Sequence, residues 1–149
     1  MRPNVLVVED EPEMQWLLHK VLVNNNCQVV CTDNGRNAVK LVREKLPNAV
    51  ILDIRLPDMN GIEILRRIRR VNKRVGIIII TAYRTNQNFE EANTLGADRF
   101  ISKPFDISQL MFTLQQLISE KAYIDNLIGI ETTFKNRFRG KRKKYGIFE

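Results

Sequence analysis

The sequence predicts an α/β fold: a doubly wound, five-stranded parallel sheet built from five (βα) units in a row. Three observations carry that expectation. Five short apolar runs alternate with stretches of helical periodicity over roughly the first 120 residues. Two runs, "AVIL" and "GIIII", are apolar throughout, which suits strands buried on both faces and so a parallel sheet covered by helices. Polar and charged residues gather where the runs stop. Alternation of this kind yields helices on both faces of one open sheet.

Each element has its own justification. Strand 1 is "NVLVV" (4–8), and Pro12 suits the first turn of a helix near 12–25. Strand 2 is "CQVVCT" (27–32), followed through Gly35 by a helix near 35–45. Strand 3 is "NAVILD" (48–53); a turn with Pro57, Asp58, Asn60 and Gly61 leads to a helix near 61–71. Strand 4 is "VGIIIIT" (75–81), before a helix near 87–95. Strand 5 is "DRFIS" (98–102), after which Asp106 is placed to cap a fifth helix. Apolar residues at 107, 110, 111, 114, 117 and 118 give that helix a buried stripe. The run "RRIRRVNKR" (66–74) reads as the C-terminal end of a solvated helix, where positive charge offsets the helix dipole. Past about residue 121 the helical pattern weakens. The expected organisation is therefore a domain over 1–121 and a basic tail or linker over 122–149.

Composition narrows the function classes. A chain of 149 residues has room for one domain with a real core and not for two ordinary ones. No run approaches the roughly 18 apolar residues of a membrane span, and "MRPNVLVVED" lacks a signal-peptide pattern. A cytoplasmic protein with no membrane partner is the expectation. Cys27 and Cys31 lie about 13 Å apart if both sit on one strand, beyond the roughly 7 Å a disulfide allows, so both should stay free thiols. His19 is the single histidine and reads as a solvated helix residue, which argues against a zinc site or a histidine-based triad. Of the net charge of +7, residues 121–149 carry +5, with eight Lys/Arg against three Asp/Glu. The tail interleaves Phe134, Phe138, Tyr145 and Phe148 with basic residues, a mixture able to bind nucleic acid through phosphate contacts and stacking. A short basic tail is more usually disordered, and no helix-turn-helix of adequate length fits after residue 121. Nucleic acid is thus not the favoured partner.

The chemistry lies at the strand ends. Open parallel sheets bind ligands beyond the carboxyl ends of their strands. There strand 1 ends in Glu9-Asp10-Glu11, strand 3 in Asp53, strand 4 in Thr81 and strand 5 in Ser102-Lys103-Pro104. Clustered carboxylates repel one another unless a cation sits among them, and hard oxygen ligands favour Mg²⁺. A carboxylate beside Mg²⁺ can attack phosphorus to give an acyl phosphate, with Lys103 and Thr81 holding the transferred oxygens. An aspartyl-phosphate phosphatase would need a second Asp two residues after Asp53, where Arg55 stands. A flavin module would need a phosphate-cradling loop after strand 1, where "EDEPEM" would repel phosphate.

The ordered set "VVEDE", "LDIRLPDMNG", "TA" and "KPF" resembles a response-regulator receiver domain of two-component signalling over about residues 3–121. The resemblance implies the receiver topology, with Asp53 as phosphoacceptor, Glu9 and Asp10 serving Mg²⁺, and the Arg55 carbonyl as a further metal ligand. It implies that Thr81 binds the phosphoryl group and moves towards it, that Lys103 pairs with it, and that Phe100 is the aromatic switch. Leu56 stands where many relatives carry Met. "GIEILRRIRR" and "ITAY", with Arg55 and Tyr83, are also similar to single-domain phosphorelay carriers of sporulating bacteria. Phe100 departs from these, which have histidine there. The expected partner is a sensor histidine kinase or phosphotransfer protein, and the expected role is a phosphoacceptor signalling protein rather than an enzyme. Output would pass to a downstream protein or a second copy through the face of helix 4, strand 5 and helix 5. The alternative is a DNA-binding transcriptional regulator whose effector region is truncated or reduced to the tail.

Overall fold

A computed structural model of the chain describes residues 2–82 and 86–144, with the side chains of residues 86, 134, 138 and 141–144 left aside. The elements alternate as expected: β1 (Asn4–Val8), α1 (Pro12–Asn24), β2 (Gln28–Thr32), α2 (Gly35–Lys45), β3 (Ala49–Asp53), α3 (Gly61–Val71), β4 (Gly76–Thr81), α4 (Asn86–Thr94), β5 (Arg99–Ser102) and α5 (Ile107–Lys144). All five strands are parallel, in the order β2-β1-β3-β4-β5. Every residue of β3 and β4 is buried, as their apolar runs require, whereas edge strand β2 alternates between exposed and half-buried residues before the buried Thr32.

The period of two along each strand divides the core between the two faces of the sheet. Leu6, Val8, Val50, Leu52, Ile77 and Ile79 pack with Ala38 and Val42 of α2, Ile64, Leu65 and Ile68 of α3, and Ala92 of α4. Val5, Val7, Ile51, Ile78, Ile80 and Ile101 pack with Leu18 and Leu22 of α1 and Leu110, Leu114 and Leu117 of α5. Cys27 and Cys31 belong to this second cluster as free thiols, and burial pushes both thiol pKa values up. His19 is exposed, in keeping with a solvated residue.

Two expectations need correction. The basic run 66–74 is not wholly solvated, because Arg69 is largely buried against a ring of acceptors. Its Nε and Nη2 donate to the Gly96 carbonyl at 3.0 and 2.7 Å, and Nη1 donates to the Val75 carbonyl at 2.6 Å. Nη2 also meets Asp98 Oδ2 at 3.0 Å, and the same oxygen accepts the Ile77 N–H at 2.8 Å. One guanidinium therefore ties the end of α3 to the start of β4 and the turn before β5. Periodicity could not show this, since Arg69 and Asp98 are 29 positions apart.

The second correction concerns the tail, which is helical through Lys144 rather than irregular. Asp106 caps α5 as expected, accepting the Ser108 N–H at 2.9 Å. No proline follows Pro104 to stop the helix. A Glu131–Lys135 pair at 2.8 Å supports it one turn apart, and the hydroxyls of Thr132 and Thr133 donate back to the carbonyls of Ile128 and Gly129. The chain divides into two compact units, Met1–Ile118 and Ser119–Glu149.

Removing one partner of a buried ion pair leaves the other charge uncompensated, at a cost of roughly 3–5 kcal/mol. Arg69→Ala should therefore lower the urea midpoint by an amount worth about 3 kcal/mol with an unchanged slope. Arg69→Lys should recover only part of it, because an ammonium cannot reproduce the planar fork. An unchanged midpoint in Arg69→Ala would show that the clamp carries no stability.

Candidate active site

The site is built by the strands running one residue past their ladders. The Glu9 N–H donates to the Thr32 carbonyl at 3.0 Å, carrying β1 pairing beyond Val8. The Lys103 N–H donates to the Thr81 carbonyl at 2.9 Å, carrying β5 pairing beyond Ser102. Asp53 is the last residue of β3, opposite Ile80. Residues distant in sequence thus reach one edge because the sheet is parallel and in register there.

Glu9 is 2% exposed and Asp53 is 6% exposed, a placement that demands a cation. Lys103 supplies one: its Nζ lies 2.9 Å from Asp53 Oδ2 and 3.2 and 3.4 Å from the Glu9 carboxylate oxygens. The second Asp53 oxygen, Oδ1, accepts the Arg55 N–H at 2.9 Å. Glu9 Oε1 accepts the Glu11 N–H at 3.3 Å, and Gln15 donates to the Glu9 carbonyl at 3.1 Å. Asp10 is exposed, yet carboxylate oxygens of Glu9, Asp10 and Asp53 lie within 4.8 Å of one another.

The charges distort ionisation in a consistent way. Burial, then the field of Asp53, pushes the Glu9 carboxyl up to about 7 against the opposing pull of Lys103. Burial works against the Lys103 ammonium, but its hydrogen bond to Asp53 and the charges of Asp53 and Glu9 outweigh that and raise its pKa. The fit to a hard divalent cation is close. Opposed oxygens of an Mg²⁺ octahedron stand about 4.2 Å apart, so three carboxylates spread over 4.8 Å need only a small contraction. An open cleft of about 580 Å³ borders Asp10, with Ile54, Arg55, Leu56, Pro57, Asn60 and Asn88 along it.

The loop between β3 and α3 is held at several points. The Gly61 N–H donates to the Ile54 carbonyl at 2.8 Å, and a Cβ on Gly61 would lie 2.4 Å from the Ile54 Cα, so only glycine permits this approach. Asn60 caps α3 by accepting the Ile62 N–H at 2.9 Å. Asp58, expected as an ordinary turn residue, instead reaches the start of α2. It accepts the Gly35 N–H at 2.9 and 3.1 Å and the Arg36 N–H at 3.3 Å. These bonds, led by that from Gly35, hold its carboxyl below the usual carboxylate range. Nothing local in the sequence marks a partner 23 positions away.

Thr81 is buried at the end of β4, in register with Ser102. Phe100 is half-buried in β5 opposite Ile79, with its ring centroid 4.5 Å from that of Phe89 on α4. Phe89 was not singled out in the sequence, because a lone aromatic on a polar helix carries no signal of its partner. Arg55 is exposed, and Tyr83 lies outside the described residues.

Residues 5–115 match the family model for the response regulator receiver domain. Among curated proteins, the chain is 32% identical over 122 residues to sporulation initiation phosphotransferase F of Bacillus subtilis (strain 168), covering 82% of this chain and 98% of that one. It is 34% identical to the regulatory protein AtoC of Escherichia coli (strain K12), over 83% of this chain but 27% of AtoC. Among solved structures, it resembles the receiver domain of sensor histidine kinase PA1611 from Pseudomonas aeruginosa PAO1, which has a magnesium ion coordinated in its active-site cleft. The TM-score is 0.74 at 29% identity, over 80% of this chain and 99% of that one. With a family model matched over most of its length and a relative covered almost end to end, the chain belongs to the response regulator receiver domain family and is a signalling module of two-component systems.

Proposed function

We propose that the domain accepts a phosphoryl group on Asp53 from the phosphohistidine of a sensor kinase or phosphotransfer protein, in a Mg²⁺-dependent reaction, and relays or switches a signal with it. The observation that carries this reading is the buried Asp53 carboxylate, bonded to Lys103 and within reach of Glu9 and Asp10. The magnesium ion in the PA1611 receiver domain and the phosphotransferase name of the Bacillus relative support it.

An Asp53 oxygen attacks phosphorus; the new P–O bond forms as the P–N bond breaks, and the imidazole leaves as a neutral base after taking a proton. The Arg55 N–H fixes one Asp53 oxygen during this exchange. Lys103 passes from Asp53 to an oxygen of the transferred group, and the Thr81 hydroxyl closes on another. Glu9, Asp10, Asp53 and the Arg55 carbonyl would hold Mg²⁺, which when bound offsets the charge of the phosphoryl oxygens. Movement of Thr81 and repacking of Phe100 against Phe89 would alter the face of α4, β5 and α5, offered to a downstream protein or a second copy. A second reading has a specific support: the chain spans about half of the transcriptional regulatory protein CusR and about a quarter of AtoC. In that reading the same chemistry serves a transcriptional regulator.

Asp53→Asn should abolish labelling by acetyl phosphate, read by mass spectrometry of the intact protein; undiminished labelling would place the acceptor elsewhere. Asp10→Ala should weaken Mg²⁺ binding on the order of tenfold by calorimetry, or about 1.4 kcal/mol, and an unchanged affinity would remove Asp10 from the metal set. In chelator, Glu9 gives a pH signature. Its folded pKa of about 7 lies above the ordinary 4.5, so its stabilising contribution is complete below 4.5 and is lost as pH rises through about 7. Glu9→Gln should lack this dependence, so the urea midpoint of the parent should fall relative to the variant between those values. Parallel midpoints would contradict the burial-driven shift.

A further inference from the structure

We infer that residues 119–144 of α5 form a surface-seeking amphipathic helix that binds anionic lipid membranes. In the unit Ser119–Glu149, Tyr123 is 65% exposed, Leu127 47% and Ile130 64%, with Ile124 at 40%. Such exposure is unusual for so many large apolar side chains in succession. The spacing of 123, 127 and 130 is that of one helix face, and the sequence continues it at positions 134 and 138. At about 100° per residue these five positions fall within an arc of about 80°. Asp125, Asn126, Thr132, Thr133 and Asn136 fall outside it.

Charge identifies the occupant. Residues 134–144 contain seven Lys/Arg and no Asp/Glu, directly continuing the apolar stripe. An anionic bilayer meets both features at once: the stripe enters the boundary between headgroups and acyl chains while the cations meet phosphate headgroups. A second copy in parallel register would set these cations against one another. In antiparallel register it offers Glu120, Asp125, Glu131 and Glu149 against seven Lys/Arg, and Glu131 already pairs with Lys135. Nucleic acid would use the basic run and leave the apolar stripe in water. Among the described residues no helix is long and apolar enough to cross a membrane, and lying in the interface needs no such helix.

The test is co-sedimentation of the full 149-residue chain with phosphatidylcholine vesicles, with and without phosphatidylglycerol. Binding to the anionic vesicles should exceed that to the neutral ones by at least tenfold and weaken as salt rises. Leu127→Ser/Ile130→Ser alters exposed side chains and so should leave the fold intact by circular dichroism. It should reduce vesicle binding by on the order of tenfold or more. Replacing Lys141, Arg142, Lys143 and Lys144 by Gln should remove the preference for anionic lipid. Failure to bind anionic vesicles overturns the inference. So does binding that the serine pair leaves unchanged, which would mark a purely electrostatic contact of the kind nucleic acid also makes. A self-association abolished by the serine pair, in a chain that ignores vesicles, would assign the stripe to a second copy instead.

Discussion

One ammonium group holds the carboxyl edge of this sheet together. Lys103 reaches Asp53 and Glu9, residues 50 and 94 positions away, and compensates two carboxylates that burial would otherwise make prohibitively costly. That pairing is available because the chain winds from β1 outward to β2, then returns to lay β3 on the other side of β1. The reversal opens a crevice between the loops after β1 and β3, where doubly wound sheets bind their ligands. Topology thus decides which charges meet, and Lys103 makes the meeting tolerable.

The two ends of the sheet divide their duties. At the carboxyl edge, incomplete neutralisation leaves Glu9 with a pKa raised to about 7, a locally unfavourable state that an added divalent cation would relieve. At the opposite edge, Arg69 and Asp98 are satisfied by main-chain partners as well as by each other. A frustrated site is tolerable where the remaining framework is secure. The apolar strands β3 and β4 and the Arg69 clamp provide that security.

Much of this was legible in the sequence because the governing patterns are local. The bounds of β1, α2 and α3 follow directly from apolar runs and from the breakers Gly35 and Gly61. The carboxylates Glu9 and Asp53 were recognisable as anomalies at the ends of buried strands, and Lys103 as a cation on the same edge, though its direct pairing with both carboxylates was not. The Arg69 clamp, the Asp58 link to α2 and the Phe89–Phe100 contact were hidden, since each joins segments whose proximity only the tertiary fold creates. The helicity of residues 122–144 was obscured for a different reason. Its stripe is followed by a run of like charges, a composition that weighs towards disorder when judged without its apolar neighbours.

Arg55 touches Asp53 through its main-chain N–H, while its side chain stands in solvent beside the cleft. The bracing of the loop by Gly61 and Asp58 fixes the peptide unit whatever residue supplies it. Position 55 is therefore two positions in one. Its backbone is committed to the acceptor, and its side chain is exposed at the rim of the cleft. A substitution at position 55 changes the chemistry of the rim while the main-chain N–H that holds the Asp53 carboxylate remains.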